Sequence, residues 1–405
     1  MEHLSAICPP WLASRIEHSK GVVSFYSFMD WVLNDPIHGA YATGRLRIGK
    51  EGDFVTSPSL GPDFSELLAI QISDWLLQLK SAVGSDERLT LVEVGPGEGH
   101  LVVDLVAALK RMCPSLVGEL DVILVEKNEA MAQRQREKLS ESAGISVKWS
   151  TFEELALKPV TGVFIMNEVL DALPVDRLTW HDNSLFRQGI CLKDFESQKY
   201  LAYTCMPITE ELDISLQQLG RKYGFSIPPY DAPNDWTTEW HTEVCPFLEK
   251  ASNCIKQGPL LVIDYCLESR RYYSSDRPSG TLISYQKQQC SGELLSNPGF
   301  CDLTSHLCLE TLFEFAKESG WRLIGHTRQG QALLALGLAE RLHSLQNIPS
   351  SRINLAFERR ESLLRLVDPS GLGEFRWIAF QKEDRLNDYD QISLMKTTFL
   401  EEPIL

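Results

Sequence analysis

No stretch of this sequence carries the ~20 consecutive apolar residues that a helix needs to cross a bilayer, so no membrane span is expected. Basic residues are the scarcer charge. Lys and Arg number 39 against 55 Asp and Glu, a formal net charge of −16 at pH 7. An acidic surface repels phosphates, which argues against nucleic acid as a partner and is compatible with a basic or arginine-bearing protein substrate. Cysteine is plentiful, at ten, but C-x-x-C pairs are absent. Cys245 with Cys254, and Cys301 with Cys308, lack the short spacing of a structural zinc site, so no metal is expected. Reduced thiols are the plain reading. The opening residues include Glu2, Pro9, Pro10 and Glu17, which suit neither a secretory signal nor an Arg-rich transit peptide. The expected location is cytoplasmic. Internal repeats and low-complexity tracts are also lacking, leaving 405 residues of ordinary globular composition, enough for one elaborated domain or for two.

Within that length three regions separate. Residues 1–85 read as helices around a loop: Ser24 to Leu33 has helical spacing and stops at Pro36-Ile37-His38-Gly39. A polar, Gly-rich stretch runs from Gly44 to Gly61. Phe64, Leu67, Leu68, Ile72, Trp75 and Leu79 then share one face of a helix. From residue 86 to 172, and again from 258 to 385, apolar strands alternate with helices. The strands are Leu89 to Val94, Leu120 to Val125, Ile145 to Trp149, Gly162 to Met166 and Pro259 to Asp264. Such alternation predicts a mostly parallel Rossmann-like α/β sheet covered on both faces. Trp321 to His326 and Gln331 to Leu336, flanking Thr327-Arg328-Gln329-Gly330, are expected to form a closing hairpin. An antiparallel last strand separates a methyltransferase sheet from a dehydrogenase sheet. Residues 173–257, too long for a loop, are expected to form an inserted cover or substrate subdomain.

The first of these strands ends in Glu93-Val94-Gly95-Pro96-Gly97-Glu98-Gly99 and opens a helix. Gly95, Gly97 and Gly99 allow a sharp turn on which a cofactor can touch backbone. The spacing is shorter than the Gly-x-Gly-x-x-Gly that cradles a pyrophosphate, and Glu98 would oppose one directly. Glu93 ends the first strand and Glu126 the second, where Glu126 could accept from both ribose hydroxyls. A phosphate-free, cationic sulfonium ligand fits these acids, and S-adenosylmethionine is the expected cofactor. Glu93 could instead be a structural cap, and Glu126 a carboxylate at a helix start. Thr151 is either an adenine contact or an N-cap completed by Glu154.

The fourth strand runs into Asn167-Glu168-Val169-Leu170-Asp171. Asn167, Glu168 and Asp171 stand where a transferable methyl would point, or else cap the next helix. Methyl transfer is an in-line displacement, so the protein mainly orients its nucleophile. For an arginine acceptor, paired carboxylates bind the guanidinium fork, localise charge on one nitrogen and free another's lone pair. Glu168 and Asp171 are the candidates, with Asp264 and Tyr265 as neighbours.

Taken together and in order, several segments resemble the MidA-like methyltransferases, a family that includes the mitochondrial complex I assembly arginine methyltransferases. They are Gly52 to Pro58, Glu93 to Gly99, Asn167 to Pro174, Ile263-Asp264-Tyr265, Asn297-Pro298-Gly299 with Asp302 to His306, and Gln329-Gly330-Gln331. The likeness runs from about Asp35 to Gln381. It implies a class I methyltransferase fold, S-adenosylmethionine, and symmetric dimethylation of an arginine in a complex I subunit. It also assigns Asp53, Thr56 and Pro58 to a loop folding over the cofactor, and Asp302 and His306 to the acceptor side. Asp302 and His306 could equally be a helix cap and a partly buried histidine. The chain departs from the family pattern at Ser59 (usually Glu), Ser65 (Gly), Glu98 (Arg), Cys266 (Gly) and Leu307-Cys308-Leu309 (Val-Asp-Phe). Ser59 and the Leu307 triplet bear on the acceptor more than on the fold.

Three rivals remain at this level: a non-catalytic assembly factor with the same fold, a nicotinamide dehydrogenase, and a small-molecule methyltransferase. A homodimer is left open. The cofactor reading makes a direct prediction. S-adenosylhomocysteine at 100 times its dissociation constant should stabilise the protein by ~2.7 kcal/mol, measured by thermal shift, while NAD leaves the melting temperature unchanged.

Overall fold

Runs such as Leu89–Val94 and Pro259–Asp264 are buried at every position, the pattern of strands covered on both faces. In the computed structural model, which describes residues 6–49, 52–83, 87–140, 146–382 and 395–402, they build the central sheet of one of two units. That unit comprises Arg47–Val169, Phe247–Tyr265 and Ala316–Leu405. Its strands are β1 (Leu89–Val94), β2 (Leu120–Val125), β3 (Val147–Ser150), β4 (Val160–Asn167), β5 (Pro259–Asp264), β6 (Trp321–Arg328) and β7 (Arg376–Lys382). Ile145, the expected start of β3, lies outside the described residues. The order is β3-β2-β1-β4-β5-β7-β6, with a short strand, Ile255–Gln257, also pairing β4. Strands β3 to β5 are parallel, and β7 runs antiparallel to both β5 and β6.

The expected closing hairpin does not form. Gln329–Ala335 is a helix, and the partner of β6 is β7, supplied from much further along the chain. The reason is compositional: Gln, Ala and Leu are strong helix formers, and the segment has no β-branched residue. Trp377-Ile378-Ala379-Phe380, unassigned from sequence, is wholly buried. Helix Pro62–Val83 covers the sheet, with all six residues of its expected apolar face buried. The Phe64 ring meets Trp377 edge-on at 5.8 Å between centroids, and Trp377 meets Phe399 at 5.4 Å.

The second unit takes Met1–Leu46, Leu170–Pro246 and Cys266–Phe315. Its main sheet has six strands, in the order Ala6–Ile7, Gln198–Met206, Ser184–Phe195, Asp176–His181, Trp236–Trp240, with Val22–Ser24 also paired to Ser184–Phe195. Two of its turns, at Asp182-Asn183 and Glu196-Ser197, have positive φ at both central residues, the type I′ geometry that suits a twisted hairpin. The expected partition, 1–85, 86–172 with 258–385, and 173–257, differs from these units. Residues 1–46 join the inserted segment because helix Phe25–Asn34 buries Phe25, Phe28 and Met29 in that unit's core. A second excursion, Cys266–Phe315, belongs there too, whereas Arg47 onward joins the parallel sheet.

No disulfide joins any two of the ten cysteines. Among the described residues no helix is long and apolar enough to cross a membrane, and no cluster of His, Cys, Asp or Glu is arranged to hold a metal. Because Trp377, on β7, is fully buried against Phe64 and Phe399, Trp377→Ala should cost ~3–5 kcal/mol in chemical denaturation. A loss under 1 kcal/mol would contradict this packing.

Candidate functional site

The glycine turn, its flanking acids and the loop through Ser57 all belong to the parallel-sheet unit. Strand β1 delivers the chain into its turn at the carboxyl edge of the sheet, and Gly95 N–H donates to Val125 O at 3.0 Å. Gly95, Gly97 and Gly99 have φ of 62°, 53° and 77°, a left-handed run that side chains resist. At Gly97 the space is occupied as well, since an added Cβ would stand 2.8 Å from Ile48 Cδ1. Gly99 then caps helix His100–Met112.

Two acids flank this turn. Glu93 is 5% exposed, and its Oε2 has no hydrogen-bond partner. Desolvation pushes its carboxyl up to about 8, against partial relief from the Val102 backbone N–H. Glu126 accepts from Asn128 N–H at 2.8 Å and from Gln135 Nε2 at 3.1 Å, and burial raises its pKa despite those bonds. The pair fits a ligand that brings donors and positive charge: a buried carboxylate oxygen lacks a donor, and bare backbone lies between the acids. A pyrophosphate would meet Glu98 within the turn with like charge, and its binding would oppose ionisation of the two buried carboxyls. Thr151 is committed to the cap of helix Phe152–Ala156, in a box with Glu154.

The loop expected to fold over the cofactor holds itself together. Asp53 accepts from Arg47 N–H at 3.0 Å. Thr56 N–H donates to Ser59 Oγ at 3.0 Å, and Ser59 Oγ donates to Thr56 O at 2.8 Å, so the serine standing where the family usually has Glu closes the turn. Pro58 is buried in that turn. Ser57 carries the loop's outward connections. Its N–H donates to Glu168 Oε1 at 3.3 Å, and its Oγ donates to Gln329 Oε1 at 3.2 Å. Gln329 is fully buried, accepts also from Trp377 Nε1, and donates to Leu366 O at 2.9 Å.

Asn167, expected on the acceptor side, ends β4 beside β5, opposite Ile263 in register. Asn167 Nδ2 donates to Glu168 Oε1 at 3.2 Å, while Asn167 Oδ1 is buried with no partner. Glu168 has φ +54°, a left-handed conformation at the tip of a buried strand rather than in a hairpin turn. Asp264 is fully buried and accepts from Tyr265 N–H at 2.8 Å. Asp171 and His306 fall in the other unit, where Ser305 N–H donates to Asp171 O at 3.0 Å. There His306 is driven down to about 4 by burial and by nearby Arg277 and Arg271, so it is neutral at physiological pH. Asp302, in the same unit, is buried and accepts from Tyr41 OH at 2.8 Å. Sequence reasoning brought Glu93, the glycines, Glu126, Asn167, Glu168 and Asp264 to one edge of one sheet. It missed the roles of Gln135, Ser57 and Gln329, whose only signals were a glutamine on the apolar stripe of a polar helix and two motif positions without evident chemistry.

Residues 67–327 match the family model described as S-adenosyl-L-methionine-dependent methyltransferase. The mitochondrial protein arginine methyltransferase NDUFAF7 of Danio rerio is 25% identical, over 94% of this chain and 88% of its own length. The Homo sapiens protein of that name is 26% identical, over 91% and 82%. A crystal structure of a methyl transferase from Burkholderia thailandensis, bound to S-adenosyl-homocysteine, superposes with a TM-score of 0.77 at 26% identity, covering 92% of this chain and 91% of its own. These relatives correct the expected cytoplasmic location, since the curated proteins are named mitochondrial. The composition of the first residues had no bearing on a compartment that the relatives share.

The buried Glu93 links stability to pH. Its carboxyl has an ordinary value of 4.5 when unfolded and about 8 in the fold. The folded state therefore keeps a proton that the unfolded chain has released, and the stability present below about pH 4.5 is lost as pH rises through 8. Glu93→Gln removes this titration. Without ligand, the variant should melt above the parent at pH 8.5, with the gap closing towards pH 5; identical melting curves at both pH values would show that Glu93 is not desolvated.

Proposed function

The chain belongs to the family of S-adenosyl-L-methionine-dependent methyltransferases, and we propose that its acceptor is an arginine side chain of a protein. The observation that carries this reading is the left-handed backbone of Glu168. Such a conformation at a non-glycine residue costs ~1–3 kcal/mol and persists where the surroundings over-determine it, typically at functional sites. Here Ser57 N–H and Asn167 Nδ2 both hold Glu168 Oε1, fixing the carboxylate at the end of β4. The names of the NDUFAF7 relatives support arginine as the acceptor. The resemblance to complex I assembly methyltransferases supports a subunit of that complex as its carrier.

In this reading the turn Gly95–Gly99 packs against the cofactor with bare backbone, Glu93 takes a donor from its amino acid end, and Glu126 accepts from its ribose hydroxyls. Bound there, S-adenosylmethionine supplies an electrophilic methyl group on a cationic sulfur. An arginine guanidinium, which stays ionised at any physiological pH, arrives protonated and poorly nucleophilic. Glu168 binds the fork, draws its charge towards one nitrogen and leaves the lone pair of another free to attack. The Asn167 amide oxygen, buried without a partner, accepts from a second guanidinium N–H and fixes the fork's rotation. Asp264, at the tip of the adjacent strand, sets a further buried carboxyl beside Asn167. The proton displaced from the methylated nitrogen leaves by way of a carboxylate, with Glu168 nearest in this scheme.

Glu168→Gln preserves the shape and removes the charge. Methyl incorporation into arginine, followed by mass spectrometry of complex I peptides, should fall by ~10²-fold or more. Binding of S-adenosylhomocysteine should stay within threefold. Near-parental incorporation in the variant, or arginine peptides identical with and without the gene, would defeat the proposal.

A further inference from the structure

Helix Glu129–Ser140 is polar, and its buried stripe consists of Met131, Ala132, Gln135 and Leu139. An apolar residue is the default at such a position. Gln135 is 1% exposed, and a buried amide is tolerable only when its hydrogen bonds are made. They are made in full, to three separate segments. Nε2 donates to Gly97 O at 2.8 Å and to Glu126 Oε2 at 3.1 Å, and Oε1 accepts from Trp149 Nε1 at 2.9 Å. One planar group thus ties the glycine turn after β1, the acid at the tip of β2 and the indole at the tip of β3.

We propose that Gln135 is a positioning residue for the cofactor: it locks the Glu126 carboxylate against the Gly97 turn, so that the ribose hydroxyls meet a preset pair of acceptor oxygens. The inference rests on Glu126 being the ribose acceptor. Planarity matters here. Both amide protons are spent on different segments, so the Glu126 oxygen and the Gly97 carbonyl cannot drift apart without breaking one bond. The bond from Trp149 fixes which way the amide faces, because only its oxygen can accept from the indole. Fixing the acceptors in advance lowers the ordering cost paid when ligand binds.

The test is isothermal titration of the full-length protein with S-adenosylhomocysteine and with its 2′,3′-dideoxyribose analogue. Q135M keeps the volume and loses every hydrogen bond. Q135L also loses every hydrogen bond without adding charge beside Glu126, and serves if Q135M does not fold. Either variant should bind S-adenosylhomocysteine at least tenfold more weakly, while affinity for the dideoxy analogue changes less than threefold. Equal weakening of both ligands would mean that Gln135 only packs, and affinity within twofold of the parent for both would mean that it does neither; each overturns the proposal. A parent protein that fails to distinguish the two ligands would instead remove the premise that Glu126 reads the ribose, a result visible before any Gln135 variant is made.

Discussion

Parallel strands all end at the same edge of a sheet, and that single constraint assembles the site. Glu93, Glu126 and Asn167 are far apart in sequence, yet β1, β2 and β4 pair in register and finish side by side. The same geometry sets Asp264 beside Asn167. Each acid comes from a strand whose other residues are chosen for burial, so the carboxylates are desolvated by the sheet that delivers them. A helix bundle or an antiparallel meander would scatter these tips over two ends of the molecule.

Concentrating acids in this way is unfavourable for folding alone. Glu93 holds its proton to about 8, and Glu168 sits in a backbone conformation that glycine would adopt more easily. Neither feature helps the ligand-free fold, and both are tolerated because the core beneath is dense. Trp377, Phe64 and Phe399 interlock under the same edge, and Gln329 joins that core to the covering loop through Ser57. Stability in the cover and strain at the rim are therefore connected through one buried amide.

The glycine turn and its flanking acids were legible because each depends on local chemistry: left-handed backbone demands glycine, and a strand's last residue is fixed by the strand. The fold class followed from alternating buried runs. Other features depended on partners distant in sequence. Gln331 to Leu336 reads as the partner strand of β6 until β7 is seen to occupy that place. Gln135, on the stripe of Met131, Ala132 and Leu139, shows no purpose until Gly97, Glu126 and Trp149 converge on it. The limits of the second unit were hidden for the same reason, since residues 1–46 and 266–315 meet the inserted segment only in three dimensions.

The position of β7 also governs how the molecule can come to be. It is the last strand of the sheet in chain order, yet it lies inside the sheet, between β5 and β6. While the chain is being made, the exposed edge of β5 must wait for a segment more than a hundred residues downstream, with nothing but solvent or a chaperone to cover it. Edge-on aggregation during synthesis is thus the hazard that this topology carries.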